Sequence, residues 1–258
     1  MVPRELISAL RIRFKEVISP LKLAPYNSDP TVDKTIEHTA RVVENSLILA
    51  ESLQLSENEK AVAEIAALFH DIGRLRILLP ENSDSNLIDH AEKSAEYLRS
   101  DSTFSELDAP TQNIIIQAIK NHNKPDLPLK ESETILFYSR LLRDADKLEV
   151  WPATSDYLMR KAGKPNMAID LALSEKAVVT PSFCKIIIEG GIPNKSDLIT
   201  FNDFIIFQMS WIFDLNYKKS FQIVNQKQFI RHLYESLPKN DSVIEIYRMI
   251  RIYTENRI

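Results

Sequence analysis

Glycine is scarce in this chain. Gly73, Gly163, Gly190 and Gly191 are the four it has in 258 residues. Strand-rich and doubly wound folds draw on glycine for their turns, so the scarcity favours helices joined by loops containing Pro, Asn and Asp. Cysteine is scarcer still. Cys184 stands alone, which excludes an intramolecular disulfide and a zinc site built on cysteines. In the run Phe183 to Ile188 it reads as a small buried hydrophobe. No apolar run approaches the roughly 20 residues needed to span a bilayer. Near the start, Leu6, Ile7, Leu10, Phe14 and Val17 are interrupted by Arg4, Arg11, Arg13 and Lys15. That pattern is not a signal peptide, and the cytoplasm is the expected compartment. A broad basic field is missing too: the net charge is -4 and the pI near 5.8. General nucleic-acid binding by counterion release is therefore not expected. A small anionic substrate needs only local charge.

What remains is ordinary for a globular protein: 44% apolar and 26% charged residues, enough to build a full core. Residues 3–18 read as an amphipathic helix that stops at Pro20, with Pro25 and Pro30 marking an irregular stretch. A central core helix is predicted from Thr31 or Asp33 to about Leu53, carrying Ile36, Ala40, Val43, Leu47 and Ala50. The alanine-rich segment 57–72 predicts the next, with Gly73 as its C-cap. Residues 80–88 read as a loop and 89–100 as a short helix. Pro110 opens another helix, which carries Ile114, Ile115, Ile116 and Ile119. Residues 131–150 predict a fifth core helix. After Trp151–Pro152 the character changes, with helices expected near 153–162, 166–175, 197–215, 220–236 and 241–256. The expected organisation is an N-terminal helix and linker over 1–30, a helical core over 31–150, and a C-terminal helical extension over 151–258 packed on that core or forming a dimer surface.

Five histidines occur, and four lie between residues 38 and 122, on or at the ends of predicted core helices. His70 is followed directly by Asp71 at the end of an apolar segment. A buried imidazole must find partners for both nitrogens, and a buried carboxylate disfavours its own charge. A divalent cation meets both demands at once. The fifth histidine, His232, reads as a surface or interface residue. Trp151 and Trp211 read as packing residues.

Five stretches carry a family pattern: His38-Thr-Ala-Arg-Val, Leu68-Phe-His-Asp-Ile-Gly-Arg74, Asp89-His-Ala-Glu-Lys-Ser-Ala95, Lys120-Asn-His122 and Arg143-Asp-Ala-Asp-Lys-Leu148. In this order and at these separations the sequence resembles the HD-domain metal-dependent phosphohydrolases, over about residues 30–150. The resemblance implies an all-α HD core in which His38, His70, Asp71 and Asp146 ligate a metal. His90 and His122 match the further ligands of dinuclear members. Those members often carry two adjacent histidines where this chain has Asn121–His122, so one or two ions remain open. Helical periodicity does not choose between Asp144 and Asp146. The family's Ala-Asp-Lys-Leu pattern chooses Asp146 and leaves Asp144 a supporting or capping role.

The implied activity is hydrolysis of a phosphate ester or anhydride by a metal-activated water, with Asp71 as ligand and partner of that water. The substrate is expected to be small, phosphorylated and nucleotide-like. Mn, Fe, Zn, Ni and Mg are not distinguished. Arg41, Arg74 and Lys147 are candidate phosphate-binding cations, with Lys93 and Lys124 near the second position. Homo-oligomerisation stays open. The same six ligands also resemble the di-iron HD oxygenases, and some HD-like domains serve as non-catalytic scaffolds.

Overall fold

A computed structural model describes residues 2–22, 30–77, 89–159, 173, 174, 176 and 178–258. Among these the protein is all-α, and its one extended pairing is an isolated parallel bridge between Ser174 and Thr200. No helix among them is long and apolar enough to cross a membrane. The chain divides into two compact units, Met1–Asp146 and Lys147–Ile258.

In the first unit, α1 (Arg4–Ile18) buries Leu6, Leu10, Phe14 and Ile18, a stripe spaced four residues apart. Helix α2 (Pro30–Ser52) carries the deeply buried Val42, Leu49 and Ala50. Helix α3 (Glu57–Phe69) starts at a capping box, in which Ser56 and Glu59 satisfy each other's backbone donors. It packs on α2 and on α6 (Ala109–Asn121), and α1 lies against it. Helix α6 is capped by Asp108, with Pro110 in its first turn.

The segment 57–72 is not one helix. It ends at Phe69, turns through His70 and Asp71, and resumes as α4 (Ile72–Ile77). Gly73 is therefore not a cap but a residue inside α4. Its role is close approach: a Cβ built there would stand 2.2 Å from the His90 carbonyl oxygen. Helix α5 (His90–Ser100), capped by Asp89, packs on α4 through this point and also on α6. The expected loop 80–88 and Pro25 lie outside the described residues.

Helix α7 (Glu133–Met159) also departs from expectation, since it runs on through Trp151–Pro152. Proline removes one backbone donor. Burial on both sides of it outweighs that loss, with Leu148, Trp151, Thr154 and Ser155 all buried. Residues to Asp146 belong to the first unit, where the Asn45 side chain donates to the Ala145 carbonyl and fixes α7 beside α2.

In the second unit, Trp151 is fully buried and its indole donates to the Gln208 carbonyl. Helix α8 (Pro181–Ile188) was not among the expected helices. It holds Cys184 buried and packs on α9 (Phe201–Ser210) and α12 (Asp241–Glu255). The expected helix 197–215 is shorter, with Trp211–Asp214 continuing α9 as 3-10 helix. The expected helix 220–236 is two, α10 (Lys218–Lys227) and α11 (Phe229–Ser236), broken at Gln228 in the left-handed region with φ 55. The helix expected at 166–175 lies outside the described residues apart from 173 and 174, which are not helical. His232 accepts from or donates to Ser155, with Nδ1 2.8 Å from the hydroxyl.

Candidate metal centre

Four helices and one turn of the first unit deliver the corners of a cluster. Helix α2 brings His38, the turn between α3 and α4 brings His70 and Asp71, and the first residue of α5 is His90. His122 sits at the C-cap of α6, and α7 supplies Asp146. His38 Nε2 lies 3.2 Å from His70 Nε2 and 3.2 Å from Asp146 Oδ1. His90 Nε2 lies 3.2 Å from His122 Nε2. Asp71 stands between the two groups. Its Oδ2 faces His38 at 3.6 Å and His70 at 3.7 Å, while its Oδ1 faces His90 at 3.2 Å and His122 at 3.7 Å.

The second nitrogen of two imidazoles fixes what the first can do. His70 Nδ1 is 2.7 Å from the Ala67 carbonyl, and His122 Nδ1 is 2.6 Å from the Ile119 carbonyl. A carbonyl can only accept, so both Nδ1 atoms carry a proton and Nε2 is the atom each ring offers to the cluster. Burial pushes the His70 imidazole down to about 4, so it is neutral at neutral pH.

Burial alone would raise the Asp71 carboxyl. Positive charge on His70, Arg74, His122 and His90 pulls it below the usual carboxylate range instead. At neutral pH, where His70 is uncharged, Arg74 is the permanent part of that pull. Asp146 is likewise opposed by burial and held low by the His38 hydrogen bond.

Asp71 Oδ1 is buried without a hydrogen-bond partner. An orphaned carboxylate oxygen is costly unless something cationic meets it. The donor set suits a divalent ion: neutral imidazole nitrogens, carboxylate oxygens, and backbone carbonyls holding the imidazoles in place. Among the described residues two ligand groups lie close enough to hold one, His38–His70–Asp146 and His70–Asp71–His122. His70, Asp71 and His122 are buried, whereas His38, His90 and Asp146 are only half-buried, so the centre opens on their side.

The candidate cations separate. Arg74 is in the centre, with Nε 2.6 Å from Asp71 Oδ2 and Nη2 3.0 Å from His90 Nε2. Arg41 is exposed on α2 and faces Glu37 at 3.6 Å. Lys147 engages Asp214 at 2.5 Å, Lys93 engages Glu96, and Lys124 engages Asp89. Asp144 is fully buried, apart from the carboxylate group contributed by Asp146.

Three supporting residues are not singled out by sequence. Arg143 is buried and its guanidinium donates to the carbonyls of Asn121, His122, Lys124 and Pro125, which holds the end of α6. Asp89 accepts from Ala91, Asn123 and Lys124, tying α5 to the same segment. The Ser94 hydroxyl lies 2.7 Å from the His70 carbonyl and 2.9 Å from that of His90, and accepts from the Gly73 amide. Ser94 sits inside a quoted motif four residues after His90. That spacing, with a small polar residue on an apolar face, was the available signal. Two cavities, of about 390 and 440 Å³, lie in the second unit, the first around Gln228 and Tyr247 and the second around Phe213 and Tyr253. Neither is lined by a residue of the cluster.

Compared with known families, residues 35–151 match the model described as HD domain. No curated protein and no solved structure matched the chain.

Proposed function

Starting from the HD domain that the chain carries over residues 35–151, we propose that this protein is a metal-dependent phosphohydrolase acting on a small, nucleotide-like phosphate ester or anhydride. HD domains are generally metal-dependent hydrolases. The observation that supports the reading best is the orphaned Asp71 Oδ1 set between the imidazole nitrogens of His90 and His122. His38, His70, Asp146 and Asp71 Oδ2 would hold one ion, and His90, His122 and Asp71 Oδ1 a second. Bound there, divalent cations supply a water of lowered pKa and polarise a phosphoryl oxygen. The chain's own residues do the rest. Ala67 and Ile119 keep the His70 and His122 protons on Nδ1. Arg74, half-exposed at the open side, can grip phosphoryl oxygens with its fork. Lys147 is committed to Asp214, so the reading moves the anion-binding role to Arg74.

A pair of irons would also suit a carboxylate that turns one oxygen to each ligand group, which keeps oxygenase chemistry as the second reading. The test measures metal content of the parent beside a His70→Ala/Asp71→Ala variant, with hydrolysis of phosphomonoesters, phosphodiesters and a nucleotide panel under added Mn²⁺. Metal and hydrolysis in the parent, both lost in the variant, are expected. Iron with oxygen consumption and no hydrolysis would favour the second reading. Neither metal nor turnover in the parent would leave a helical scaffold.

A further inference from the structure

Arg74 makes two contacts that phosphate binding does not require. Its Nε donates to Asp71 Oδ2 at 2.6 Å, and its Nη2 meets His90 Nε2 at 3.0 Å. His90 is a ligand that a second ion would need, and Asp71 Oδ2 is on the side of the first. His90 Nε2 also faces Asp71 Oδ1 and His122 Nε2, each at 3.2 Å, so the guanidinium meets the atom of this imidazole that points into the cluster. Arginine keeps its charge at any working pH. One fork thus spans a carboxylate and an imidazole nitrogen of the cluster, with the charge sign of a metal ion.

We infer that Arg74 is a resident cation that competes with the second metal ion for His90, while its bond to Asp71 Oδ2 is one that a carboxylate holding the first ion can keep. This rests on the metal-hydrolase reading and extends it. A guanidinium cannot donate to a lone pair that a metal ion has taken, and two adjacent cations repel in a site of low dielectric. With one ion bound, on the His38–His70–Asp146 side, Arg74 stays folded onto Asp71. With two bound, Arg74 leaves His90 and turns outward. Its side chain is 48% exposed, so the way to solvent is open. In that position its donors are released for the phosphoryl group. The second ion therefore both completes the centre and frees the anion-binding residue, and metal availability sets how much of the protein is competent to bind substrate.

The experiment titrates metal-free parent, Arg74→Gln and Arg74→Lys with Mn²⁺. Calorimetry gives the two affinities, and electron paramagnetic resonance detects a coupled ion pair. The first ion is expected to bind all three alike. The second is expected to bind Arg74→Gln about tenfold or more tighter than the parent, the size of a modest coupling between two ligands of one site. Arg74→Lys, which keeps the charge but loses the fork, should fall between them. It also serves if the Gln variant folds poorly. Second-ion affinity unchanged or weaker in both variants, with the first ion retained, would overturn the competition and leave the metal reading intact. No ion on parent or variants would remove both.

Discussion

Replacing Gly73 with alanine should separate the two halves of the centre. The added Cβ would stand 2.2 Å from the His90 carbonyl oxygen, 2.9 Å from Lys93 Cβ and 2.9 Å from the Ser94 amide nitrogen. Two of these neighbours are backbone, so no side chain can rotate away. Restoring ordinary contact requires α4 and α5 to part by roughly 1 Å. Overpacking of this kind costs about 1–3 kcal/mol. A melting temperature lower by roughly 2–10 °C follows for a chain of this size. The effect on metal is more selective. His90 is the first residue of α5 and moves with it, and metal–ligand distances tolerate only about 0.2 Å. The His90–His122 position should lose affinity about a hundredfold, whereas the His38–His70–Asp146 position, on other elements, should change far less. Thermal melts of the metal-free protein give the first number, and Mn²⁺ titration gives the second. A Gly73→Ala protein with parental melting temperature and both parental affinities would refute the close-approach argument.

Other substitutions test the supports. Arg143→Met removes a guanidinium that serves four carbonyls at the end of α6, and should cost about 2–4 kcal/mol in urea unfolding and weaken metal retention at His122. Ser94→Ala should cost about 1–3 kcal/mol, because the Gly73 amide loses its acceptor inside the protein. Tyr97 tests the sign of a proton linkage. Burial, with the hydrogen bond to Asp101, pushes its phenol from 10.0 up to about 12. A raised pKa stabilises fully below pH 10 and fades as the pH climbs through 12. The stability advantage of the parent over Tyr97→Phe should therefore shrink above pH 10, read by denaturant titration on both sides of that pH. Chelation should lower the melting temperature of metal-loaded protein by roughly 5–10 °C, the effect of an ion held at about a hundred times its dissociation constant. An unchanged melt would place the bound metal outside the folded core.

How much of this is legible in a sequence differs from residue to residue. The helical class and the extents of α1, α2, α5, α6 and α12 follow from apolar spacing, caps and prolines, which are local. The family-patterned residues stand at fixed places in an ordered set of motifs, and packing brings six of them together. Gly73 shows the first limit. A glycine after an apolar run looks the same whether the chain needs a cap or a close approach, and only the position of α5 distinguishes them. Pro152 shows the second: its break signal is outweighed by burial of Trp151 and its neighbours. Gln228 carries no local signal for a left-handed break. Arg143, Asp89 and Lys147 act through partners distant in sequence, so their roles arise with the tertiary fold. Arg41 lies in the right motif but pairs along α2 with Glu37.

The ligands of the cluster are spread from residue 38 to residue 146 and come from four helices and a turn. Such a centre cannot seed folding, because closing a loop of that length must precede any gain from the ion. An ion bound there acts as a latch fitted after the door has shut. Its stabilisation falls almost wholly on the rate of opening, so in a chevron the unfolding limb should shift on chelation while the folding limb stays where it is. A chain of this kind can be made without metal, collapse to its native helices, and wait for the ion that fixes its lifetime.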